Sequence, residues 1–480
     1  MVDPMKPCLI ALPTPARKRP TGLFVLAAGL LILTLLAGAC GGNNQQEEEK
    51  RNFYGPTEIA LQPYPLLESG PLLFAVNSWG GNLSILNTES YEIIKGYVSD
   101  RWEEKALWVG PAPQDIAMTP SGDLVYVTDA NREAVRIGIT IEPWTIDQID
   151  LVLERARVSI VPALIDPDDL TTSIPPAWEE RGEVWFADPP NSRLVVWSHF
   201  ENRVDGQVEL PSPPVDLQVS RDGDAVFVIG EDTALRVVDA VTRRLEDVEV
   251  FVGGLPTRVV ESPAGDEVYV LNSNPPQLHI IDARTWRQDD LEITFRAALN
   301  DMAFSTDGDF GFITSDDGFL YWFYRELHRV CGSWYDKPYF YDFGPIANPT
   351  LVNIETEDCR THEEEWKITY RQREDDWEVE GSKSGLQINL AYTGQSYISD
   401  QGEIKFLIHA GDYHESDGDA FRIWTRVGKE PVPMGALPRG IAISPIIDEL
   451  GEDKVFVADP STNSVTRIIT DDTENFNTIE

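Results

Sequence analysis

The stretch PQDIAMTPSGDLVYVTD at 113–129 returns along the chain as PVDLQVSRDGDAVFVIG (214–230), LPTRVVESPAGDEVYVLN (255–272) and LNDMAFSTDGDFGFITS (299–315). A further copy is split between LPRGIAISP and GEDKVFVAD (437–459). Each copy alternates apolar with polar residues, turns at a Gly/Asp pair and resumes as a β-branched or aromatic run. That is the pattern of two strands joined by a tight hairpin, with a third strand expected after a polar Asn/Asp turn. The turn glycines are Gly122, Gly182, Gly223, Gly265, Gly308 and Gly451, with Gly70 before LLFAVN marking a weaker first copy. From Gly182 to Gly308 the steps are 41, 42 and 43 residues, the length of a four-stranded propeller blade. The sequence therefore predicts an all-β fold, a seven-bladed β-propeller.

The longer gaps carry insertions. Gly308 to Gly451 spans 143 residues, which leaves 331–429 as an inserted module between blades six and seven. Its short alternating runs WKITYRQ, WEVEGS, LQINLAY, EIKFLIH and AFRIWTR predict a small β-sandwich. Blades one to six then occupy 56–330, and blade seven with the ring closure occupies 430–480. Closure falls to the tail near Phe476–Ile479 or to the segment near Phe53, and the sequence leaves both open. A shorter insertion, about Pro143 to Pro176, reads as a strand or a helix with a loop.

The repeats resemble the YVTN and NHL-like seven-bladed propellers of bacterial envelopes. Pro113, Pro120, Gly122, Val125, Tyr126, Val127 and Asp129 match that pattern, as do Pro256, Ser262, Pro263, Gly265, Val268, Tyr269, Val270 and Asn272. The resemblance covers about 300 residues and speaks to fold, because propellers host lactonases, oxidoreductases and pure scaffolds alike.

Export is written at the N-terminus. Arg17, Lys18 and Arg19 precede an apolar run from Leu23 that ends in small residues, the order of a signal peptide over residues 1–39. A transmembrane anchor is the alternative, but Leu23 to Ala39 is 17 residues, at the lower limit for a span. Leu36-Ala37-Gly38-Ala39-Cys40 resembles a bacterial lipobox, with Ala37 in place of the usual Leu. The resemblance implies lipidation of Cys40, whereas that departure leaves ordinary signal cleavage open. Residues 40–55 begin with GGNNQQEEEKR after the cysteine and read as a flexible tether reaching roughly 20 Å. Gly41 is not the aspartate that retains lipoproteins on the inner membrane, so outer-membrane residence is expected. Outside the cytosol the remaining pair, Cys331 and Cys359, is expected to form a disulfide, closing a loop of about 29 residues worth roughly 3–4 kcal/mol. A metal or redox pair would ordinarily sit closer.

Eighty acidic residues against 39 basic give a net charge of -41, which repels phosphate backbones and argues against nucleic acid. Apolar residues at 42% supply a core and exclude wholesale disorder.

In a propeller, the residues just after the repeat proline converge on one mouth of the central channel. Aligned copies place Glu58, Asp115, Asp216, Arg258, Asp301 and the pair Arg439–Gly440 there. Several carboxylates about one axis repel one another unless a cation or a base lies among them. Asp115, Asp216 and Asp301 are thus candidate ligands for a hard metal such as Ca2+, or turn caps with Arg258 pairing one of them. The string HAGDYHESDGD (His409, Asp412, His414, Glu415, Asp417, Asp419) offers metal-ligand types but reads as a long hairpin turn. Asp222–Asp224 and Asp307–Asp309 lack the 12-residue calcium-loop spacing and read as tight turns. The aromatics Tyr321, Trp322, Phe323 and Tyr324 are expected in a blade core. Trp334, Tyr335, Tyr339, Phe340 and Tyr341 are candidates for a docking surface.

None of the six histidines has the neighbours of a catalytic triad, and GSKSG at 381–385 fits neither a nucleophile elbow nor a P-loop. The expected function is a membrane-anchored, extracytoplasmic lipoprotein whose propeller is a binding platform for an envelope protein or polymer. The competing expectation is a metal-dependent hydrolase or lactonase working at the channel mouth.

Overall fold

A computed structural model describes residues 53–63, 70–95, 107–131, 134–138, 145–149, 151–165, 172–291, 293–326, 328–331, 339–342, 349–356, 364–411, 419–425, 431–444, 453–469 and 472–479. Cys40, Cys359 and four acidic or imidazole residues of the His409 string (Asp412, His414, Glu415, Asp417) lie outside them, as do Trp334 and Tyr335. The expected lipidation and the Cys331–Cys359 pairing therefore fall outside the described residues.

The described residues are built almost entirely from antiparallel sheets. Sheet one runs Pro56–Leu61, Leu72–Asn77, Asn82–Asn87 and Ile93–Lys95, and Leu107–Trp108 adds to its third strand. Sheets two, four and five follow the same meander. They start at Pro113–Met118, Pro214–Val219 and Pro256–Glu261 and end at Thr145–Gln148, Arg244–Phe251 and Ile293–Thr294. Sheet three starts at Val158–Ile160 and continues through Glu183–Asp188, Arg193–Ser198 and Arg203–Glu209. Sheet six starts at Leu299–Phe304 and runs to Arg329–Cys331. Sheet seven comprises Ile441–Ile443, Lys454–Asp459, Ser464–Ile469 and Asp472–Ile479.

The second strands are apolar on both faces because each sheet is covered on both sides. In LLFAVN, Leu72, Phe74 and Val76 pack with Ile116, Val125 and Val127 of sheet two, whereas Leu73 and Ala75 pack with Phe456, Ala458 and Val465 of sheet seven. A period-2 side-chain alternation thus feeds two separate cores from one strand. The same division repeats between sheets four and five, five and six, and six and seven. The first strands touch in order from sheet one to sheet seven, and that of sheet seven lies against that of sheet one.

Three readings of the repeat change. Gly182 is the left-handed C-cap (φ 55°) of the short helix Pro176–Arg181, not a hairpin turn. The segment read as an insertion, Pro143–Pro176, holds the last strand of sheet two and the first strand of sheet three. Sheet six extends beyond residue 330, because Val432–Pro433 pairs with its third strand Phe319–Tyr324. The insert therefore leaves from one strand of sheet six and returns beside another. Of the two segments expected at the closure, Asp472–Ile479 pairs along Ser464–Ile469, and Phe53 is fully buried in a core shared by sheets one and seven.

The insert has a five-stranded sheet (Tyr339–Asp342, Ala420–Thr425, Glu364–Arg371, Asp376–Gly381, Gly385–Leu386) and a three-stranded one (Thr350–Thr356, Ile404–His409, Ser396–Ile398). Trp366, Ile368 and Phe421 from the first share a core with Tyr397, Phe406 and Ile408 from the second. Among the described residues no helix is long and apolar enough to cross a membrane.

Sheets five and six are also tied through His328, which lies between Glu267 Oε1 (2.5 Å) and Asp289 Oδ2 (2.7 Å). The bond to Glu267 raises the imidazole's affinity for its proton most, burial opposes it, and Asp289 adds to the rise. A raised folded-state pKa means that this contribution is complete below pH 6.5 and disappears as pH climbs through the higher native value. We expect His328→Gln to remove that pH dependence and to cost about 1 kcal/mol at pH 6. Urea midpoints at pH 6 and pH 8.5 check this; equal wild-type and variant slopes would refute it.

Candidate functional site

A backbone irregularity aims the central side chains. Between the first two strands of sheets one, two, four, five and six the pairing register slips once, at Pro56/Glu58, Pro113/Asp115, Pro214/Asp216, Pro256/Arg258 and Leu299/Asp301. A bulge bends the strand and re-aims the next side chain. Of the six charged residues expected there, the structure brings together five: Glu58, Asp115, Asp216, Arg258 and Asp301.

Their partners show how the charges are reconciled. Glu58 Oε1 accepts from Arg157 Nη1 at 2.9 Å, and its Oε2 accepts from Arg258 Nη2 at 2.5 Å. Arg258 also donates from Nε to Asp301 Oδ1 at 2.8 Å and lies 3.6 Å from Asp216 Oδ1. Arg157 lies 3.6 Å from Asp115 Oδ1. One glutamate from sheet one thus joins guanidinium groups from the segments that open sheets three and five.

The aspartates have a second task. Asp115 Oδ2 accepts from Val158 N (2.9 Å), Asp216 Oδ2 from Val259 N (2.9 Å) and Asp301 Oδ2 from Ile441 N (3.1 Å). Each carboxylate therefore grips the first strand of the next sheet. These three aspartates thus bond to neighbouring backbone instead of capping turns, and Arg258 pairs three carboxylates rather than one. Asp222 and Asp307 do act as turn caps, accepting from Asp224 N (2.9 Å) and Asp309 N (3.0 Å).

Burial disfavours ionised carboxylates, so Asp216 and Asp301 are pushed upward despite Arg258. Asp115 is pushed up to about 7 by burial, opposed by Arg157 and reinforced by Glu58. At Glu58 burial also raises the pKa, but Arg258 and Arg157 together overcome it and hold the carboxyl below its usual range. For Asp115 the sign is that of a raised acid: its stabilisation is full below about pH 4 and is lost as pH rises through about 7. Asp115→Asn should therefore reduce the fall in stability across that window by about one proton's worth of slope. Denaturant titrations from pH 4.5 to 8 measure it, and an unchanged slope would sink the assignment.

These groups border a cavity of about 430 Å3 whose wall includes Ile59, Thr119, Val158, Ser159, Leu217 and Gln218. Among the described residues no His, Cys or Lys lines it. Among the described residues no three His, Cys, Asp or Glu side chains are grouped to hold a metal ion; guanidinium groups stand where the sequence allowed a cation. A second space of about 280 Å3 shares Gln218, Val260 and Ile443 with the first and is bordered by Glu261.

One expectation is corrected, and one residue of the cluster was not foreseen. Arg439 lies outside the cluster, bonded to Asn300 and 3.1 Å from Asp316 Oδ1; Gly440 holds the equivalent place in sheet seven and brings no side chain. Arg157 was missed because its strand, RVSIV, lacks the repeat proline and lay in the supposed insertion. A short β-branched alternation preceded by a cation was the available signal. Elsewhere, Tyr321, Trp322, Phe323 and Tyr324 are buried as expected, His409 is exposed, and Asp419 is buried.

No family model matches the chain, and no curated protein matches it. A solved structure described as a functionally unknown protein from Desulfotomaculum acetoxidans DSM 771 is similar over 71% of this chain and 99% of its own, at 14% identity and a TM-score of 0.42.

Proposed function

We propose that this chain is a lipid-anchored extracytoplasmic lipoprotein, YVTN/NHL-like, whose seven sheets form a seven-bladed β-propeller acting as a binding platform for an envelope protein or polymer. The contact of the last first-strand with the first supports the ring. The observation that carries the platform reading is the mutual satisfaction of the central charges. Every carboxylate there is spoken for by a guanidinium or a backbone N–H, the arrangement of a lock between sheets rather than of a reacting centre. Anchorage through Cys40 and outer-membrane residence rest on the N-terminal sequence.

Crosslinking in cells followed by mass spectrometry tests the reading. A defined envelope protein or polymer recovered with wild type, and still recovered with Asp301→Asn, is the expected result. Stoichiometric Ca2+ or Zn2+ in the purified protein, lost together with a hydrolytic activity in Asp115→Ala or Asp301→Ala, would overturn it in favour of the hydrolase.

A further inference from the structure

Sheet one carries two exposed indoles close to Phe53. Trp79 is 56% exposed and Trp108 45% exposed. Both belong to one small platform. Trp79 sits in the turn between the second and third strands and covers Gly55, while Trp108 covers Gly81 of that same turn. Either glycine would drive a Cβ into the indole above it, and both have left-handed φ (67° and 70°). Tyr54 meets Trp79 edge-on at 6.0 Å.

The platform's own segments carry no charge, and the Asp129 carboxylate that accepts from Ala112 N at 2.6 Å is buried. The three segments that make the platform, 53–57, 77–82 and 107–114, contain no Asp, Glu, Lys or Arg, in a chain whose residues are 25% charged and whose net charge is -41. A basic partner would be drawn to the acidic surface elsewhere. A neutral surface carrying aromatic side chains suits a zwitterionic headgroup layer, where Trp and Tyr settle with an apolar body and a polar edge.

Position supplies the occupant. Phe53 is locked into the core, so twelve residues lie between Cys40 and the first fixed point, Phe53, and Tyr54 follows at once. Thirteen Cα–Cα steps reach at most about 45 Å. A short tether keeps the surface next to its attachment at high local concentration over the bilayer. We propose that the Tyr54, Trp79 and Trp108 surface rests on a neutral lipid surface, orienting the domain on the membrane that anchors it. This rests on the lipid-anchored reading of Cys40.

The test uses full-length protein purified from membranes and reconstituted into phosphatidylcholine vesicles with brominated acyl chains, which quench indoles at the interface. Mass spectrometry of the N-terminal peptide reports acylation of Cys40. The expected result is an acylated chain with a quenched fraction of tryptophan emission that is lost in the Trp79→Phe/Trp108→Phe double variant, whose thermal melt stays at the wild-type midpoint. An acylated wild type that is not quenched, or a double variant quenched equally, overturns the lipid contact and leaves the anchor standing. An unacylated Cys40 overturns both. Protection of the two indoles by a neutral polysaccharide or a soluble protein, without quenching by the vesicles, also overturns the lipid contact.

Discussion

Arg258→Met is expected to lower the unfolding free energy by about 3–5 kcal/mol at pH 8, because it strips the cation from Glu58, Asp216 and Asp301 while leaving them buried. Burial opposes the guanidinium's charge, yet Asp301, Glu58 and Asp216 hold it firmly protonated, so wild type keeps this cation across the whole practical pH range. In the variant, Asp216 and Asp301, already displaced upward, take up protons more readily than they would when unfolded. The native state then binds more protons than the unfolded state, and stability must fall as pH rises. The loss should therefore be smaller at pH 5 than at pH 8. Arg258→Lys should fall between, since one ammonium cannot reach three carboxylates with the geometry of a planar fork. Urea unfolding at both pH values decides it: a loss below about 1 kcal/mol, or one independent of pH, would mean that Arg258 does not compensate the acids.

Gly440→Ala is the second large effect, at about 2–3 kcal/mol. A Cβ there would lie 2.8 Å from Glu58 Cα, 2.9 Å from Thr57 O and 3.0 Å from Ile59 N. All three are main-chain atoms of the first strand of sheet one, and Gly440 N–H already donates to Thr57 O at 2.8 Å. Main chain held in a sheet cannot swing aside, so the substitution must spread the seam between the last sheet and the first. Gly311→Ala is the control: its Cβ would meet the methyl end of Met302, which can choose another rotamer. Gly440→Ala should therefore cost more and should speed proteolysis at Phe53 and in the C-terminal strand. Equal costs for the two variants would show that the seam tolerates the extra carbon.

Much of this site was legible because the repeat proline numbers the strand. Two residues after Pro56, Pro113, Pro214 and Pro256 come Glu58, Asp115, Asp216 and Arg258, and two after Leu299 comes Asp301. Copies of one hairpin place equivalent residues at equivalent heights, so convergence could be read without coordinates. Arg157 escaped since sheet three departs from the repeat, taking a helix and a left-handed cap where sheets two, four, five and six have a Gly/Asp hairpin. Arg439 was misplaced by one residue, and a one-residue step along a strand sends a side chain to the opposite face.

Outside sheet three, local pattern alone determined the repeated strands and their hairpins and the inward-facing Glu58, Asp115, Asp216, Arg258 and Asp301, because alternation and turn chemistry act between near neighbours in the chain. Only the tertiary structure decided how the charges are settled. Glu58 meets Arg157 and Arg258 across 99 and 200 residues of chain, and whether buried carboxylates find a metal, a proton or a guanidinium depends on distances of a few ångströms between strands that the sequence places far apart.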